Sequence, residues 1–321
     1  MGDMRVSDTI VEKPRAARPS PCVGICSLDP KTDWCIGCGR SRQEIAGWRR
    51  ASPEEQDAIL ARLPERRTAL AIKAQPLPLD REAAAGFLAH LAMKPDITWV
   101  MGVTGGVAEY CSLPGDRLSM DHVEGGFACH TDKGGVRIAL PELARLFHIG
   151  HEGVNRFCIA MPPHAPAFPE HAVIRELGPD EGAIRHEDRE GVAFDLGLGH
   201  WSVRFLVRSA SAEVIDVLRR QEGIPLLDAL LSIMGPLLRN PVHRIAETAL
   251  GRVEVYAPIA DPNGESPVGP HTHILPDLLK EKRGLTLGQF LPRTYGACCS
   301  IFAGRSVDLT DCMVSDGLPP G

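Results

Sequence analysis

The sequence predicts an α+β protein in which a small metal-stapled module with short helices precedes a mixed, mainly antiparallel sheet body with helices. Three observations predict it. Four cysteines crowd into residues 22–38, β-rich runs punctuated by glycine begin beyond residue 95, and the helical stretches among them follow no strand–helix–strand rhythm. With 321 residues and 44% hydrophobic content the chain can bury a sizeable core. Aromatic residues make up only 5%, too few for the stacking platforms that hold single-stranded nucleic acid, so nucleic acid is not an expected partner.

Residues 1–19 are polar and rich in proline and small side chains, which predicts a flexible tail. That stretch has no apolar core of the length a secretory signal needs, and no later run approaches a membrane span, so the expected location is the cytoplasm, away from membranes. In a reducing compartment the ten cysteines do not read as a disulfide framework, and clustered ones become candidate metal ligands. The net charge of −6 is uneven: residues 1–75 hold 13 Lys+Arg against 10 Asp+Glu, and the rest 22 against 31. The head is mildly basic and the body acidic.

The cysteine-rich module is expected over residues 20–67. Ser41 with Glu44, and Ser52 with Glu55 behind Pro53, have the form of capping boxes, so two short helices should follow the cysteines. Residues 68–95 read as a helical linker region, with an extended stretch from Gln75 to Leu79, a boundary near residue 76, and a helix over Arg81–Met93 capped by Asp80. The body spans 96–321. Strand-like runs lie at 97–110, 125–130, 136–140, 157–161, 192–196 and 202–207, and helical stretches at 141–147, 212–221 and 226–238. The strand-then-helix units at 136–147 and 202–221 suggest two similar halves meeting near 170–190. Gly102 to Val107 fits a hairpin or bulge.

Cys22 and Cys26 are separated by three residues, and Cys35-Ile36-Gly37-Cys38-Gly39 forms a knuckle whose turn aims both sulfurs at one ion while backbone N–H groups offset their charge. Gly37 and Gly39 supply the backbone angles that turn needs. Arg40 and Arg42 soften the charge of a tetrathiolate site and favour ligation. The alternative, four cysteines that merely pack, requires a local core for which this segment has too few large apolar residues. A tetrahedral four-sulfur site serves zinc or iron, and four cysteines also hold iron–sulfur clusters, so spacing leaves the occupant open.

The residues Ser20-Pro21-Cys22, Cys26, Asp29-Pro30, Trp34 through Arg40, Glu44-Ile45 and Trp48 resemble the cysteine-rich family called domain of unknown function 1289. Its members are described as predicted iron–sulfur proteins, so the resemblance implies an iron–sulfur cluster or iron at Cys22, Cys26, Cys35 and Cys38, with zinc as the alternative. Phe194 through Gly199, Gly251 through Tyr256 and Gly269 through Pro276 resemble a second family, domain of unknown function 6925, which implies no chemistry.

Weaker constellations lie in the body. His271 and His273 project from one face of an extended segment and form a candidate metal pair, while capping of backbone groups explains them equally well. His148 and His151, beside Glu152, would share one turn of a helix end, where solvated cations are common. Cys129-His130 near Asp132, and Asp121-His122 near Glu124, contain acid/base residue types, but neighbours on a strand face opposite ways. Cys129 is the candidate nucleophile if there is one. Cys111, Cys158, Cys298, Cys299 and Cys312 read as buried small hydrophobes. No Walker loop, dinucleotide fingerprint, GxSxG elbow or HExxH helix occurs. The leading expectation is a metal- or iron–sulfur-binding protein engaged in electron transfer or iron handling, with a body that meets a protein or small-molecule partner. The alternative is a structural zinc interaction module fused to a ligand-binding or enzymatic α+β domain.

Overall fold

Two serines start the first helices. Ser41 Oγ accepts from the Glu44 N–H at 3.2 Å while the Glu44 carboxylate accepts from the Ser41 N–H at 2.8 Å, opening α1 (Arg42–Gly47). Ser52 and Glu55 repeat the exchange at 3.2 and 2.7 Å to open α2 (Pro53–Ala69), at 17 residues longer than the short helix expected. The computed structural model describes residues 18, 20–21, 28–29, 32–35, 38–70, 74–95, 97–103, 106–151, 154–162, 172–198, 203–257, 259, 269–274, 291 and 295–304. Most of the expected flexible tail lies outside them, but Arg18 is anchored on α2, its Nε 2.6 Å from Asp57 Oδ1.

After β1 (Gln75–Pro76), Asp80 accepts from the Ala83 N–H at 2.8 Å and caps α3 (Arg81–Ala92). The following strands are β2 (Thr98–Val103), β3 (Gly106–Tyr110), β4 (Ser119–Val123), β5 (Gly126–His130), β6 (Gly134–Ala139), β7 (Arg145–His151) and β8 (Val154–Met161). Then come β9 (Arg175–Pro179), β10 (Val192–Asp195), β11 (Val203–Ser209), α4 (Ala212–Arg220), α5 (Leu226–Arg239), β12 (His243–Thr248), β13 (Gly251–Val255), β14 (His271–Ile274) and β15 (Gly296–Gly304).

The strands form two antiparallel sheets. Sheet A runs β1-β7-β8-β15-β2-β3-β14 and sheet B runs β4-β5-β6-β13-β12-β11-β10-β9. The chain is therefore mixed α+β and mostly sheet. β2 and β3 of sheet A lie against β11, β12 and β13 of sheet B. The main core fills the space between with Trp99, Met101, Phe127, Val136, Phe157, Phe194, Phe205 and Val253. α3 adds Phe87, Leu88 and Leu91, and the amphipathic α4 and α5 add Val214, Leu218, Ala229 and Ile233. No described helix is long and apolar enough to cross a membrane.

Several expectations meet a different structure. Residues 141–147 are a turn leading into β7, not a helix, because Leu146 packs into the main core while Phe147 and Ile149 pack on the opposite face of sheet A. A strand buried on both faces shows no period-2 pattern. With that helix gone, the 136–147 unit of the expected repeat is strand followed by strand. The run 97–110 is a hairpin, β2 against β3, turning where Gly102 to Val107 fits one. The 68–95 segment does not hang free: Gln75 and Pro76 pair with His148 and Phe147 of β7, and α3 sits in the main core.

Candidate metal centre

The knuckle is built by two backbone hydrogen bonds. The Cys35 carbonyl accepts from the Gly39 N–H, and the Cys35 N–H donates to the Arg40 carbonyl, each at 2.7 Å. Gly39 closes the loop at φ +78°, as its place after the cysteine pair predicts. Before the loop, Asp29 accepts from the backbone and hydroxyl of Thr32 at 2.9 and 2.6 Å and fixes the turn into Trp34.

Cys35 and Cys38 are both 1% exposed, with Cys38 in hydrogen-bond contact with Cys35. That bond lowers the Cys38 thiol to about 5, and Arg40, whose Nε donates to Cys38 Sγ at 3.4 Å, adds to it against the opposing effect of burial. Arg40 is itself buried and stacks over the Trp48 ring at 4.9 Å. Arg67 of α2 feels Cys38, and its buried Nε has no hydrogen-bond partner among the described residues. Arg156 of β8 is buried and feels Cys35. One guanidinium thus touches a buried sulfur, and two more lie within electrostatic reach of the pair.

The residues fit a thiolate-bound metal. Soft sulfur donors, a thiol held ionised near neutral pH, and cations that offset a tetrathiolate's surplus negative charge are what such a site needs. Cys22 and Cys26 lie outside the described residues, and among the described residues no group of three or more metal-ligating side chains gathers.

The other candidates are placed as follows. His271 sits in β14, buried, with Nδ1 2.6 Å from the Gly269 carbonyl and Nε2 3.0 Å from Glu109 Oε2 on β3. His273 falls on β14 two residues on, and its side chain is outside the description, as are Glu152 and Cys312. His148 lies on β7 rather than at a helix end, its Nε2 2.8 Å from Asn155 Oδ1; His151 ends the same strand. Cys129 faces the core beside Tyr110 Oη at 3.6 Å, and burial raises its thiol, so it lacks the ionised sulfur a nucleophile needs. Cys158, Cys298 and Cys299 are buried at the β8–β15 pairing, with Cys298 pushed up to about 12 by burial. Asp121 and His122 lie exposed on β4.

Sequence reasoning missed a second constellation, a buried charge cluster on the outer face of sheet B beneath residues 180–191. Arg208 reaches Asp180 at 2.6 Å, Glu254 at 2.8 Å and Asp188 at 3.1 Å. Arg252 lies 2.7 Å from Asp180 and 3.0 Å from Glu254. The Tyr256 hydroxyl and the Ile184 N–H complete the Glu254 carboxylate at 3.0 and 3.1 Å, and Arg137 donates to the Gly182 carbonyl at 2.6 Å. Burial raises the Asp180 and Glu254 carboxyls, but Arg252 and Arg208 outweigh it and hold both below their ordinary range. The available signal was Arg252 and Glu254 alternating with Val253 and Val255: charges at every second position of an apolar strand.

Fold and site together define a two-sheet antiparallel body carrying an N-terminal cysteine knuckle. The chain belongs to the family of unknown function DUF6925, whose model matches residues 83–309, and residues 20–67 match the model of the proteins of unknown function DUF1289. Comparison with curated proteins and with solved structures found no match.

Proposed function

We propose that this chain is a metal- or iron–sulfur-binding protein in which Cys22, Cys26, Cys35 and Cys38 hold an iron–sulfur cluster or iron, serving electron transfer or iron handling. The observation that carries the reading is the meeting of Cys35 and Cys38, buried and in contact, with Arg40, Arg67 and Arg156 around them. Bound there, a cluster or iron would supply a one-electron redox couple, and the arginines would stabilise its negative charge. The test is anaerobic purification of the full chain. Visible absorption with iron and acid-labile sulfide, all lost in Cys35→Ser, is the expected result. A colourless protein, with one zinc or with no metal, overturns it.

A second reading, a structural zinc staple in an interaction module, is favoured by one observation. Among the described residues the module's own core is Trp48, Ile59 and Leu63 with Leu60 alongside, a small core for residues 20–67 to fold on. One zinc per chain, and chelation that unfolds the module while sheets A and B persist, is its signature.

A further inference from the structure

The outer face of sheet A carries a second, smaller apolar cluster: Leu70, Phe147, Ile149, Cys158, Ala160 and Leu291. Trp34, the residue before Cys35, packs on this cluster, so the knuckle is seated on the body. Arg156 lies in the middle of that seat. Its cross-strand partners are Ile149 on β7 and Phe302 on β15, both of the cluster, and Cys158 and Ala160 continue along β8 on the same face. A guanidinium 6% exposed in apolar surroundings is costly to bury without a counter-charge, and Trp34, packed on the cluster around it, brings the neighbouring Cys35 to this face, where an ionised sulfur would favour the guanidinium.

We propose that Arg156 is the body's contribution to the cysteine site, a positioning and charge-compensating residue that makes metal occupancy and docking of the module on sheet A interdependent. The inference rests on the metal-binding reading above. A metal that holds Cys35 as a thiolate strengthens the attraction to Arg156 and so the seating of the module, and by linkage the seated module holds the metal more tightly. Arg40 and Arg67 are supplied by the module itself; Arg156 alone among the three comes from a strand of the two-sheet body. The site would thus report its state to the sheet on which it rests.

The test uses the full chain and cobalt(II), whose sulfur-to-metal charge-transfer absorption reads thiolate ligation directly. Wild-type protein should bind cobalt(II) with that absorption, and Arg156→Met should weaken affinity about tenfold or more, as loss of outer-shell partners of metal ligands does. The charge-transfer band should also move, a change that loss of packing alone would not produce. Arg156→Lys keeps the charge and should recover most of the affinity; affinity as weak as in Arg156→Met would overturn the charge role. An affinity and band in Arg156→Met unchanged from wild type would overturn the inference while leaving the metal reading standing. Absence of thiolate–cobalt absorption in the wild type would overturn the metal reading itself. Thermal melting of the metal-free variants separates a folding defect from a binding one: if Arg156→Met melts early, the Arg156→Lys affinity decides.

Discussion

Arg208 Nη2 and Glu254 Oε2 meet at 2.8 Å beneath residues 180–191, both side chains almost wholly buried. Neither stands alone, since Asp180 bridges Arg208 to Arg252 and Arg252 returns to Glu254. A closed ring of this kind compensates each charge only while all members are present. Glu254→Gln keeps the shape but leaves two buried guanidinium groups short of one negative charge. The expected cost is about 3–5 kcal/mol of unfolding free energy. Denaturant unfolding at neutral pH measures it, and a loss below about 1 kcal/mol would mean that water or rearrangement compensates the arginines.

The same cluster sets a pH dependence. Arg208 can only donate, so the His243 Nδ1 at 3.0 Å accepts, which fixes the neutral ring with its proton on Nε2. Burial lowers His243 to about 4, Arg208 and Arg185 push the same way, and Asp188 and Glu254 oppose them; Tyr256 packs on the ring at 4.7 Å. The folded state resists a proton that the unfolded chain takes up near pH 6.5. His243 therefore contributes stability in full above that pH, and loses it as the pH falls from about 6.5 toward 4. The lowered Asp180 and Glu254 carboxyls add a further loss at lower pH, as each is protonated. Thermal midpoints across this range should fall less steeply in His243→Gln than in the wild type; identical slopes would remove His243 from the account.

The parts legible in the sequence are the local ones. Ser41, Ser52 and Asp80 act through residues three positions away, so their helices can be read without the fold. Cys35, Cys38 and Gly39 likewise declare their turn by spacing. β7 escaped because both of its faces are buried, Leu146 in the main core and Phe147 and Ile149 in the second cluster, and the apolar run Leu146-Phe147 then resembles a helix as readily as a strand. β15, with Cys298, Cys299 and small residues between glycines, offers no alternation, although it sits at the centre of sheet A. Arg156 has no local signature at all: its meaning comes from the apolar cluster of sheet A around it, on which Trp34 packs, and no spacing in the chain encodes that arrangement.

His271 offers a test of whether the body holds a metal of its own. With Nδ1 at the Gly269 carbonyl and Nε2 at Glu109, both ring nitrogens already meet protein oxygens, so a metal would have to displace one of them. His271→Ala is expected to cost about 1–3 kcal/mol by removing the imidazole that pairs with the buried Glu109 carboxylate, while leaving the metal-to-protein ratio of the full chain unchanged. Elemental analysis beside a denaturant titration reads both quantities. Loss of one metal equivalent would place a second centre at β14.

Gly251 fixes the register that builds the charge cluster. It opens β13 at φ +145°, and a Cβ there would stand 2.0 Å from the Arg137 carbonyl oxygen on the paired strand β6. Gly251 pairs with Ile138 and Thr248, so β13 is held between β6 and β12 at the point where its backbone must come closest. Any side chain would push β13 off one neighbour, and Arg252 and Glu254 ride on the same strand. Gly251→Ala should therefore destabilise by about 3 kcal/mol or more, combining backbone strain with damage to the ion pairs. In a double-mutant cycle with Glu254→Gln, the two losses should fall short of additive, because the displaced strand has already loosened the contacts that Glu254 makes. Full additivity would show that β13 yields at Gly251 without moving Glu254.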